Sequence, residues 1–218
     1  MKARTLEILK NFSGINKSIL IREGNVLRTM NPERTVFANA IVEDNFPREF
    51  GVFDLSQLLS AWSLINEPDV SYEEDHILLT KAEGTEIKLF YASPRHIKSA
   101  PNKEIALPTT LLSFELKKET LLEMLKASAI LKLTNLYVTT SSVICKNPDG
   151  TGNEYRCPIN EFVISPDLDE EEAEDLQYVI DINAIRLIPD DYDVIVTEIA
   201  IRFKSKSGNL EYFVLLNQ

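Results

Sequence analysis

Cys145 and Cys157, His76 and His96, and the acidic run SPDLDEEEAED at 165–175 are the places where chemistry would first be sought in this chain. Two thiols hold zinc only with two further ligands, and both histidines stand in distant segments, so a tetrahedral set is missing. The cysteines flank the turn NPDGTGN nearly symmetrically, which is expected to put them across from each other on adjacent strands as free thiols. The acidic run lacks the central Gly and terminal Glu of a calcium loop and reads as a solvated loop. No Gly-rich phosphate loop, Gly-x-Ser-x-Gly elbow or nucleophile with a local partner occurs. The sequence therefore predicts no catalytic residue, no metal, no cofactor and no enzyme.

The basic residues carry more. Lys2, Arg4, Lys10 and Lys17 fall on or beside one helical stretch, Lys117, Lys118, Lys126 and Lys132 on or beside another, and Arg186 on a third. The chain has a formal net charge of −11, so acids dominate elsewhere and tight neutralisation of many phosphates is excluded. Positive charge gathered on helices points to a surface that faces phosphates, sequence-blind and weak, with Glu7, Glu119 and Glu123 weakening it further.

These residues sit on a pattern written twice in 218 residues. KKETLLEMLKASAILK at 117–132 gathers Leu121, Leu122, Met124, Leu125, Ala129 and Leu131 on one helix face. RTLEILKNFS at 4–13 does the same with Leu6, Ile8, Leu9 and Phe12, and LEILK echoes LEMLK at an offset of 116. A second helix is predicted at 55–65 behind the N-cap Asp54, with Ser56, Ser60 and Ser63 as a neutral face. Its counterpart, DINAIRLI at 181–188, stands 127 positions later and ends at Pro189. Strands are expected at 18–22, 26–30, 35–42, 70–72, 76–81 and 86–91, then at 113–116, 135–145, 154–164, 176–180, 193–203 and 209–216. The stretch 91–108, with three prolines and weak periodicity, is an extended connector. The expected organisation is a first domain at 1–92, a connector at 93–110 and a similar second domain at 111–218. Each is α+β, a mostly antiparallel sheet under two helices. No apolar run approaches the roughly 18 residues of a membrane span.

KNFSGINKSILIREG at 10–24, FDLSQLLSAWSLIN at 53–66 and APNKEIALP at 100–108 resemble the sliding clamps of T-even bacteriophages, the processivity factors of their DNA polymerases. The resemblance is weaker across the second half. It implies the DNA-clamp fold, in which two similar domains put antiparallel sheets outside and two helices each inside, closing as a homotrimeric ring around duplex DNA. It implies an ATP-dependent clamp loader, a replicative polymerase held by a short hydrophobic C-terminal peptide, support of late transcription, and work in the cytoplasm of an infected bacterial host. The partner pocket of such clamps lies beside the connector and under the second domain. Ile105, Leu107 and Pro108 match the connector end, with Leu107 standing where the phage pattern has an aromatic, and Tyr212, Phe213 and Leu215 are candidates for the floor. Two readings from other classes compete: a non-enzymatic viral adaptor or structural protein with a duplicated domain and no DNA role, and a hydrolase using the acidic loop with a divalent metal. Primer extension separates the first from a clamp; metal-independent thermal stability tells against the second.

Overall fold

Thr5, Ile8, Leu9 and Phe12 are buried as one stripe along helix α1 (Ala3–Ser13), recurring at the spacing that puts residues on one helical face. The computed structural model describes residues 1–159, 161–166 and 176–216. It divides into two units, Met1–Lys103 and Glu104–Gln218.

In the first unit α1 is followed by β1 (Ile19–Ile21), β2 (Gly24–Met30), β3 (Val36–Phe46), β4 (Phe50–Val52), α2 (Leu55–Ile65), β5 (Asp69–Tyr72), β6 (His76–Thr80) and β7 (Glu86–Phe90). All pairings are antiparallel: β1 with β4, β2 with β3, and β5, β6 and β7 side by side. Val36, Ala38, Ala40 and Val42 alternate inward on β3, the period-2 pattern of a half-buried strand. The connector stretch makes one 3-10 turn at Pro94–His96. It is tied back by Asn16, whose buried side-chain amide donates to the carbonyls of Met30 at 2.7 Å and Lys98 at 3.3 Å.

The connector begins against β4. The Ala92 amide donates to the Gly51 carbonyl, and a Cβ on Gly51 would stand 2.4 Å from the Ala92 oxygen and 2.5 Å from Ile97 Cδ1. Gly51→Ala is therefore expected to push the connector off the strand, at a cost of about 1–3 kcal/mol. A thermal unfolding midpoint equal to the parent's would show that Ala92 yields freely.

In the second unit β8 (Leu112–Leu116) leads into α3 (Lys118–Leu131), then β9 (Asn135–Thr139), β10 (Ser142–Lys146), β11 (Tyr155–Pro158), β12 (Phe162–Ile164), β13 (Gln177–Asp181), β14 (Tyr192–Val196), β15 (Ala200–Ser205) and β16 (Leu210–Leu215). Strands β11, β10, β9 and β13 lie in that order, and β12, β8, β14, β15 and β16 in another array, all antiparallel. Tyr192, Phe203 and Tyr212 pack edge to face in its core, with ring centroids 6.3 Å apart in each Tyr192 pair.

Several expectations are corrected. The helix expected at 181–188 is a single 3-10 turn, Ile182–Ala184, so the second unit has one α-helix among its described residues. The backbone groups a helix would pair are taken by side chains. The Ile188 amide donates to the Tyr212 hydroxyl at 3.2 Å, and the Ile188 carbonyl accepts from the Tyr192 hydroxyl. The strand expected at 193–203 is two, β14 and β15, reversed at Thr197, whose hydroxyl donates to the Ala200 carbonyl at 2.9 Å and accepts from the Ala200 amide at 3.2 Å. The strand expected at 135–145 is likewise β9 and β10, reversed by the Thr139 hydroxyl against both backbone groups of Ser142 at 3.0 Å. The segment at 154–164 splits too, β11 pairing with β10 and β12 with β8.

On α3 the buried stripe is Leu121, Met124 and Ser128, whereas Leu122 and Ala129, expected inward, are exposed. Ser128 survives in that stripe because its hydroxyl donates to the Met124 carbonyl at 2.8 Å. Cys145 faces Tyr155 and Cys157 faces Val143, so the thiols are offset along the hairpin and not opposite. Both are free, and burial holds the Cys145 thiol above its ordinary pKa. Most of the acidic run, 167–175, lies outside the described residues.

Candidate nucleic-acid interface

Helix α1 carries Arg4 and Lys10 against Glu7, α3 carries two lysines against two glutamates, and α2 carries no charge. The three helices thus sum to one positive charge in a chain of net charge −11. The three glutamates on the helices are outnumbered by four cations, and the rest of the chain holds the whole negative excess. On helix faces so charged, polyanion approach is neither opposed nor strongly rewarded.

The individual cations differ in how free they are. Arg4 is tied to Glu7 at 2.7 Å, and Lys17 to Asp54 at 3.1 Å with its ammonium 5.8 Å from the Phe53 ring centroid. Lys117 bonds Glu115 and reaches Asp191 at 3.8 Å. Lys2 sits at the N-cap of α1, its backbone amide donating to Asp44 at 2.8 Å, and the Lys118 amide donates likewise to Asp191 at 2.8 Å. Lys10 stands exposed in the last turn of α1, where a cation also meets the negative end of the helix dipole. Lys126 is exposed on α3, and Lys132 caps that helix in the left-handed conformation with φ 56°. Arg186 is exposed, beyond the 3-10 turn and on no helix. Lys10 and Lys126 are thus exposed helix-face cations with no ion pair among the described residues.

Between α1 and α2 runs a groove of about 770 Å³, lined by Lys10, Ser13, Ser56, Ser60, Ser63 and Asn66 among others. Helix α2 is positioned by Asp54, whose carboxylate accepts from the amides of Ser56 at 2.9 Å and Gln57 at 3.2 Å. The Lys17 ammonium, ahead of those two amides, holds the Asp54 carboxyl below its ordinary pKa. A lowered folded-state pKa means that the stability Asp54 confers is present above the ordinary carboxylate range and lost as pH falls through the lowered value. Asp54→Asn keeps an N-cap acceptor without that titration, so its unfolding midpoint should fall less than the parent's between neutral and acid pH. Parallel curves for the two proteins would remove Asp54 from the acid response.

Sequence reasoning missed three features. Leu122 and Ile130 stand exposed one turn before and after Lys126, so the cation rises between apolar neighbours. Phe53 and Phe90 are exposed on either side of a 280 Å³ cleft beside β7, also lined by Asp54, Gln57 and Lys88. Strand β7 itself pairs only with β6, which leaves its other edge open in this unit. Its place in the alternation Glu86, Lys88, Phe90, on the exposed side of a short strand, was the available signal for Phe90.

Of the residues matched to a partner pocket, Ile105 and Pro108 are exposed, Leu107 and Leu215 half-buried, and Tyr212 and Phe213 buried. Tyr212 points to the core side of β16 with its hydroxyl on Ile188; Phe213 and Leu215 point to the opposite face. Among the described residues no group of three or more His, Cys, Asp or Glu could hold a metal, and no helix is long and apolar enough to cross a membrane.

Residues 1–94 match the family model for DNA polymerase processivity factor. The sliding clamp of Vibrio phage KVP40 is 33% identical over 96% of this chain and 95% of its own length, and that of Enterobacteria phage T4 is 31% identical over 62% of this chain and 59% of its own. Among solved structures, PCNA from Thermococcus kodakaraensis superposes with a TM-score of 0.66 at 14% identity, over 100% of this chain and 98% of that one. The DNA polymerase III β subunit of Pseudomonas aeruginosa also gives 0.66, at 15% identity, over 98% of this chain and 62% of that one.

Proposed function

This chain belongs to the sliding-clamp family of DNA polymerase processivity factors, and from that premise we propose that it encircles duplex DNA as a homotrimer and tethers the replicative polymerase of a phage. It catalyses no reaction itself; an ATP-dependent loader opens and closes the ring in the cytoplasm of the infected host. The observation that carries this reading is the charge economy of the helices, one net positive charge within a chain of −11. A protein that gripped DNA by adhesion would need many uncommitted cations. One that holds it by topology needs a lining that does not repel it.

In this reading Lys2, Arg4, Lys10, Lys17, Lys117, Lys118, Lys126, Lys132 and Arg186 line the hole, the uncommitted Lys10 and Lys126 contributing most. Domains at 1–92 and 111–218 are joined by the connector at 93–110, and Ile105, Leu107, Pro108, Phe213 and Leu215 receive the polymerase's peptide, with Tyr212 supporting them from the core. The ring closes head to tail: the open edge of β7 in one subunit meets, in the next, the edge of β11 that is unpaired among the described residues, two different surfaces whose repetition generates a cycle. Phe53 and Phe90 beside β7 supply the apolar part of that contact.

The test is primer extension on circular single-stranded DNA with the cognate polymerase and loader. Products should lengthen only when all three proteins are present, and the clamp should stay on circular duplex and leave when it is cut. Equal retention on circles and linear fragments would replace encirclement by ordinary binding.

A further inference from the structure

We propose that Arg202 is a specificity residue that receives the terminal carboxylate of an apolar peptide docked on the second unit. In the array β12, β8, β14, β15, β16, one face turns Phe114, Val194, Phe203 and Tyr212 into the core. On the other face the register sets Val163, Ser113, Ile195, Arg202 and Phe213 in a single row across five strands. Arg202 is the one ionic group of that row, and it is half-buried among apolar neighbours. Its Nε is buried without a hydrogen-bond partner, and no ion pair holds the guanidinium among the described residues. A buried donor left unsatisfied is costly, and arginine's planar fork matches a carboxylate with two parallel bonds.

The neighbouring rows give the peptide its direction. On one side stand Glu115, Asp193, Lys204 and Glu211. Lys206 already holds Glu115 at 2.8 Å and Asp193 at 3.4 Å. On the other side lie Ala200 and Leu215, with Ile199 exposed in the turn beyond. A peptide that crosses Ile199, Leu215 and Ile195 and stops at Arg202 covers apolar surface and delivers its last charge to the free cation. One that ran on would lay its backbone over this charged row and desolvate ion pairs that Lys206 already makes, with no new partner to offset the cost. The occupant is therefore a chain end, and an internal Asp or Glu is the rival source of the same group.

This inference rests on the reading of Phe213 and Leu215 as part of the partner-peptide pocket. The probe is the fluorescein-labelled C-terminal decapeptide of the polymerase encoded in the same genome, made as free acid and as carboxamide and titrated against the full chain by anisotropy. The acid should bind the parent protein about tenfold more tightly than the amide. Arg202→Gln should erase that difference, and Arg202→Lys, which keeps the charge without the fork, should restore only part of it. Equal binding of acid and amide to the parent overturns the assignment even if Arg202→Gln fails to fold, and so does a variant that weakens both forms alike. If neither peptide form binds while primer extension is still stimulated, the pocket reading falls with it and the clamp stands.

Discussion

Phe90→Asp is expected to leave a folded protein of one subunit's mass, where the parent is expected to scatter light as three times 24.7 kDa, and to abolish the lengthening of primer-extension products. Phe90 is 71% exposed at the end of β7, its ring 5.6 Å from the His76 ring and otherwise open. So little of it is buried within the subunit that folding should hardly register its loss. Across a subunit contact the same position is different. A carboxylate closed in without a partner costs several kcal/mol, and it recurs at every junction of the ring. Lost trimer mass with an unchanged subunit unfolding curve would single out assembly. An unchanged mass would move the contact away from β7.

The second large effect is expected from reversing Lys10 and Lys126 to glutamate together. Both are exposed helix-face cations without an ion pair among the described residues, so no ion pair is lost and the fold gives up only the favourable place of Lys10 in the last turn of α1. The helices would go from one net positive charge to three negative, and the approach of the duplex would be opposed. Loading at low salt should slow by roughly tenfold or more, in the range that electrostatic steering commands. The logarithmic salt dependence should flatten by about one unit for each phosphate contact removed. Unchanged loading at low salt, with the ring intact by light scattering, would take both lysines off the lining.

The two α-helices of the first unit were legible because apolar periodicity and a capping Asp54 stated them openly, and α2 ends where expected, at Ile65. What misled was punctuation. Thr139 and Thr197 close tight turns with their hydroxyls, doing at 139–142 and 197–200 what Gly or Pro does elsewhere. Two hairpins therefore looked like two long strands. The helix expected at 181–188 has helical spacing on paper, but Tyr192 and Tyr212, distant in sequence, claim the Ile188 backbone for the core. At the candidate interface the cations could be read from composition, yet not which of them are spent. Lys17 and Lys117 match Lys10 and Lys126 in type, and only the positions of Asp54 and Glu115 separate committed from available charge. Arg202 was invisible for a related reason: a strand residue shows its vacancy only when the row across five strands is assembled.

The surface of α2, with its serines and no ionic group, has a kinetic meaning if it faces the duplex. A body travelling along a polyanion feels a periodic potential, and its diffusion slows steeply once the ripples exceed thermal energy. Hydroxyls that trade one water for another as phosphates pass keep those ripples shallow, at any ionic strength. Helix α2 would then act as a bearing, and a single lysine placed on it should make the ring a slower traveller while making it a tighter binder.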